Sequence, residues 1–153
     1  MYIALVLLQT LILPLVSGVV HLAVAGGDPL VVFGMWWGFW GVGTRLLVAG
    51  VSQLVNPART SKGILGIGDP AAAQIVHELA FANLSLGVAA VVTSLVPPWG
   101  VLGALPGAIY LGLAGVRHVA KRGKAAEENV ATWTDLLVFV VVALGIVAVL
   151  VAA

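Results

Sequence analysis

Residues 133–153 read WTDLLVFVVVALGIVAVLVAA, and beyond Asp135 no side chain in the stretch carries a charge. A helix needs about 20 apolar residues to cross a bilayer, and this run supplies them. Inside lipid the backbone N–H and C=O groups must bond within the segment, so the run is read as a helix.

Working back toward the N-terminus, the same composition recurs. Residues 99–119 form a fourth span, with a kink expected at Pro106. Residues 70–96 form a third, opened by Pro70, which suits a first helical turn. Residues 30–55 form a second, ended by Asn56-Pro57, and residues 2–25 form the first. Gly26-Gly27-Asp28-Pro29 and Pro97-Pro98 read as sharp breaks, and 121–131 as a charged loop. The expectation is an all-α polytopic membrane bundle of five transmembrane helices in a single domain, 1–153. The alternative has four spans, with the segment around 99–119 re-entrant or interfacial.

Composition agrees. The chain is 61% hydrophobic and 8% charged, against about 25% charged in soluble domains. A net charge of +1 gives no field to attract nucleic acid. With no cysteine, thiolate metal sites and thiol catalysis are excluded. Ala23-Val24-Ala25 resembles a leader-cleavage site, but the preceding stretch lacks a basic residue and is too long an apolar run, so retention is expected.

The costly residues in such a chain are the ionisable ones within spans, at about 2.5–3.5 kcal/mol each near a helix centre. Arg45 and Glu78 are placed at similar depth. At about 100° per residue, Arg45 shares a face with Gly34, Gly38 and Gly41, and Glu78 shares one with Gln74, Ala82, Ser85 and Ala89. Both faces are expected to point inward and to bring Arg45 and Glu78 together as an ion pair. That pair is either a structural bridge or part of a substrate or proton path. The spacings Gly34-x-x-x-Gly38 and Gly103-x-x-x-Gly107 permit close helix approach.

Asp135 is placed in the first turn of the last helix, where the helix dipole favours a carboxylate. His118 is placed near the cytoplasmic end of the fourth span. His77 points away from Glu78, and neither a metal site nor bis-histidine haem is expected from these residues. Phe33, Trp36, Trp37 and Trp40 form an aromatic stripe. It is read as an interfacial belt or as one wall of a site for a flat apolar ligand, such as a quinone or a lipid.

The stretch 48–92 resembles an uncharacterised family of small prokaryotic multi-pass membrane proteins, labelled only as a domain of unknown function. The matching residues are Glu78-Leu79-Ala80-Phe81-Ala82-Asn83-Leu84-Ser85-Leu86-Gly87, with Gly50 and Pro57 before them. Gly115 to His118, Asn129 and Thr134-Asp135 extend the match to about half the chain. The resemblance implies a prokaryotic plasma (inner) membrane, and one cluster of Glu78, Asn83, His118 and Asp135. The chain departs from the family in 69–75 and at Gln53, where a histidine is often found, so no histidine chemistry carries over. The architecture is also similar to DoxX-like bundles, some of which serve quinone-linked oxidoreductases.

The expected function is a non-catalytic subunit or scaffold of a larger membrane complex, quinone-linked or respiratory. One alternative is a binder or carrier of a quinone or lipid; another is a proton-coupled transporter built on Glu78 with His77 or His118. Expected partners are membrane lipid and other membrane subunits or further copies of the chain. No nucleophile–base pair marks an enzyme.

Basic residues set the orientation. Arg59, Lys62, Lys121, Arg122 and Lys124 fall in the loops after spans two and four, and none falls in the other two loops. The positive-inside rule then puts the N-terminus in the cytoplasm and the C-terminus outside. Alkaline phosphatase fused after Ala153 is therefore expected to be active, and fused after Gly63 inactive. The reverse pattern would invert this topology.

Overall fold

The computed structural model describes residues 2–64, 66–96, 99–120, 123 and 126–153. The Pro97-Pro98 break and the basic residues Lys121, Arg122 and Lys124 lie outside them. Among the described residues, five helices are long and apolar enough to span a membrane: α1 Tyr2–Ala25, α2 Pro29–Val55, α3 Ala72–Leu95, α4 Gly100–Ala120 and α5 Ala126–Ala152. The segment that could have been re-entrant is thus a full-length helix.

Local chemistry sets the helix ends. Gly26 and Gly27 take φ of 73° and 113°, a region that disfavours any side chain. They let the chain reverse into Asp28, whose carboxylate caps α2 by accepting from the N–H groups of Leu30 and Val31 at 2.9 and 3.1 Å. Asp69 accepts from the Ala71 N–H at 2.8 Å in the same way, just before α3. In α4, a tight 3₁₀ turn at Gly100–Ala104 precedes Leu105. Pro106 therefore falls in the first α-helical turn, where its missing N–H costs little. The start of α5 corrects the sequence reading. Good helix formers carry it back to Ala126, with Glu127 and Glu128 in the first turn. Asp135 consequently lies deep in the helix rather than at its N-terminus.

Two helices contain a widened π turn. In α1 it covers Leu8–Ile12, where the Leu13 N–H reaches back to the Leu8 carbonyl. Pro14 follows at once, and the wider turn relieves the clash a proline ring makes with the preceding turn. In α2 the π turn covers Gly38–Thr44.

α2 occupies the middle and touches all four other helices. α1 and α3 flank it, α4 packs along α5, and α5 also packs on α2. Glycine makes these approaches possible. A methyl group added at Gly34 would lie 2.8 Å from the Gly145 Cα, so α2 and α5 meet main chain to main chain. Gly87 faces the Gly43 carbonyl, and Gly50 faces the Ala80 carbonyl, with a methyl at either reaching about 3 Å. Gly38 packs on Ala104, Gly103 on Thr93 and Gly107 on Val42. The spacings noted in the sequence thus serve contacts within the chain. The remaining core includes Trp37, Val42, Leu46, Val101, Leu111, Val138 and Val142.

Gly34→Leu would drive a side chain into the α5 backbone, which cannot yield as a side chain does. A loss of about 1–3 kcal/mol or more is expected, as for overpacked cores. It should be read as a lower unfolding temperature of the detergent-solubilised protein. Gly68→Leu, at an open position, should leave that temperature unchanged.

Candidate functional site: a buried ion pair beside a lipid-facing seam

Arg45 follows the α2 π turn and faces α5, not α3. Its Nη2 lies 2.6 Å from Asp135 Oδ1, with the two side chains 11% and 6% exposed. Its Nη1 donates to Thr134 Oγ1 at 3.2 Å. The Asp135 contact is an ion pair rather than an aligned hydrogen bond. Thr134 in turn donates to the Val130 carbonyl at 2.8 Å, which holds its oxygen toward Arg45. One turn along, Gly41 meets Val138, so α2 and α5 are close enough for the pair to form.

The expected Arg45–Glu78 pair is therefore corrected. Glu78, Gln74, Ala82, Ser85 and Ala89 are all exposed. The buried face of α3 is Ala72, Val76, Ala80, Asn83, Gly87, Ala90 and Ser94. Its small residues are what the close approach to α2 demands, and Glu78 lies on the opposite side of the helix. The implied four-residue cluster forms only in part: His118 lies near enough to Asp135 for their charges to interact, but Glu78 and Asn83 are elsewhere. Asn83 donates to Gln53 Oε1 at 2.8 Å, His118 Nδ1 lies 3.2 Å from Glu128 Oε1, and His77 is half-buried on α3.

A second polar contact lies next to the ion pair. Gln9, in the α1 π turn, donates to Thr44 Oγ1 at 3.0 Å, and Thr44 donates to the Trp40 carbonyl at 2.8 Å. The two π turns are thus bonded to each other. Gln9, Thr44 and Glu128 were not singled out in the sequence, and Thr134 appeared there only beside Asp135 in the resemblance, without a role. Gln9 was legible as the one amide in an otherwise apolar stretch of α1. The threonines gave no signal, because a membrane helix satisfies a hydroxyl on its own backbone.

The aromatic stripe divides. Trp36 donates to His21 Nδ1 at 3.2 Å and Trp40 donates to Ser17 Oγ at 3.0 Å, so both tie α1 to α2. Phe33 lies over Gly18 of α1 and packs edge to face on Trp37, with ring centres 5.8 Å apart. With Leu15, Leu30, Val141 and Leu144 they line a hollow of about 220 Å³. The Trp37 indole N–H is buried and has no acceptor among the described residues. Further along the same α1–α5 seam, Leu7 and Leu11 face Asn129, Val130, Trp133, Thr134 and Leu137 across a second hollow of about 270 Å³. Thr134 thus joins this hollow to the ion pair.

Removing either partner leaves a buried charge alone, which costs about 3–5 kcal/mol. Arg45→Ala and Asp135→Ala should each lower the unfolding temperature sharply. Arg45→Met combined with Asp135→Leu should recover most of the loss, whereas Glu78→Gln should change little. Equal destabilisation by Glu78→Gln would contradict this geometry. No protein-family model, curated protein or solved structure matches this chain.

Proposed function

We propose that the protein is a non-catalytic membrane binding module for a lipid-soluble, carbonyl-bearing molecule, a quinone in the first place. The ligand's head would occupy the Phe33–Trp37 hollow and its tail would run along the α1–α5 seam. The observation that carries this reading is the Trp37 N–H. A buried donor without an acceptor is costly and calls for a partner. Here the indole belongs to the wall of an apolar hollow of about 220 Å³. The indole nitrogen has almost no exposed surface, so a carbonyl oxygen would complete the bond once the indole turned its edge into the hollow, and the edge of Phe33 would lie against the ring. The walls of both hollows belong to membrane-spanning helices, so the ligand would arrive from the bilayer.

A second reading, membership of a larger membrane assembly, is favoured by the outer face of α3. Glu78 stands exposed there, inside a span, where a carboxylate facing lipid is expensive.

Extraction and quantification of quinone from the purified protein tests the first reading. Trp37→Phe keeps the ring and removes the donor, and should lower retained quinone about fivefold, for a bond worth roughly 1 kcal/mol. Leu15→Trp should fill the hollow and abolish retention. Wild-type retention no greater than that of Leu15→Trp would refute the proposal.

A further inference from the structure

The exposed carboxylate of Glu78 has a counterpart on the same molecule. Neither Glu78 nor Arg117 has an ion pair among the described residues, and both side chains are exposed. They occupy one side of the membrane, because α3 starts where α4 ends. Glu78 lies about 9 Å from the start of α3 and Arg117 about 4.5 Å from the end of α4, at about 1.5 Å per residue. An arginine side chain spans the difference.

The neighbouring residues match in shape. Next to Glu78 the α3 face carries Ala82 and Ser85, both small and exposed, flanked by exposed Phe81 and Ile75. Next to Arg117 the α4 face carries Leu113 and Ile109, 67% and 43% exposed. When α3 and α4 are laid antiparallel, Arg117 meets Glu78, Leu113 meets Ala82 and Ile109 meets Ser85. Large side chains then enter the spaces left by small ones, the arrangement that drives helix association where lipid supplies no hydrophobic force.

We infer that the chain assembles head to tail with further copies of itself, the α3 face of one copy seated on the α4 face of the next through Glu78 and Arg117. This rests on reading the α3 face as an assembly surface, and it names the partner. The contact is heterologous, so it builds a closed ring where the rotation closes. In the assembly Glu78 no longer faces lipid.

The chain has no cysteine, so introduced thiols report cleanly. In native membranes treated with copper–phenanthroline, Ala82→Cys with Leu113→Cys in one chain should give a ladder of cross-linked multimers. The two single variants expressed together should give dimers only, and each alone should give none. Glu78→Lys should abolish the ladder, and adding Arg117→Glu should restore it. Dimers from Ala82→Cys alone would indicate a symmetric α3–α3 contact and overturn the proposal. Absence of any cross-link, with both thiols shown present by maleimide labelling after denaturation, would overturn it together with the wider assembly reading. Cross-linking to a different membrane protein would overturn self-assembly alone. Quinone retention is measured separately and is not expected to follow any of these outcomes.

Discussion

The bundle depends on how closely α2 approaches its neighbours. Lipid tails are as apolar as leucine, so helices in a membrane associate through contact rather than through escape from water. Contact is best where main chains touch. Gly34 against Gly145, Gly43 against Gly87 and Gly50 against Ala80 allow that on two flanks of α2. The same closeness sets the reach of side chains. Arg45 can hold Asp135 because α2 and α5 have already been drawn together at Gly41 and Val138. The ion pair is thus a result of the packing before it is a support for it.

α1 is attached differently. It makes no main-chain contact of this kind, and its link to α2 is largely polar: Gln9 to Thr44, Ser17 to Trp40 and His21 to Trp36. In hydrocarbon these few groups have few other partners, so they fix the register of α1 on α2. Phe33, lying over Gly18, adds a tight apolar contact. Held along one side, α1 leaves the hollows on its other flank, against α5.

Much of the fold was legible in the sequence, for a simple reason. A span must be apolar over a fixed length, and that is a one-dimensional property. The five spans followed from it, with ends set by Gly26-Gly27, Asn56-Pro57 and Asp69-Pro70. Which faces meet is a two-dimensional question, and there the reading of α3 failed. The face of Gln74, Glu78, Ala82, Ser85 and Ala89 is expected inward because it carries small residues and would bring Glu78 to Arg45, yet it is exposed. Both faces carry alanines, but the glycine, Gly87, lies on the other one, and it is there that α3 meets the α2 main chain. The first turn of α5 was hidden by its charges, since Glu127 and Glu128 resemble a loop until they are recognised as stabilising a helix start. Asp135 was consequently misplaced, and its pairing with Arg45 was missed.

The paired π turns carry a consequence for how this chain can vary. A π turn bonds one residue further back than an α turn, so each holds one residue more than the regular helix requires. Removing a single residue between Leu8 and Ile12, or between Gly38 and Thr44, would tighten the turn to α without breaking the span. Chains one residue shorter at either place could thus keep the same bundle, with the Gln9–Thr44 bond as the feature lost. The length of these two helices can therefore change by one residue at the bulge, while the packing faces on either side of it stay as they are.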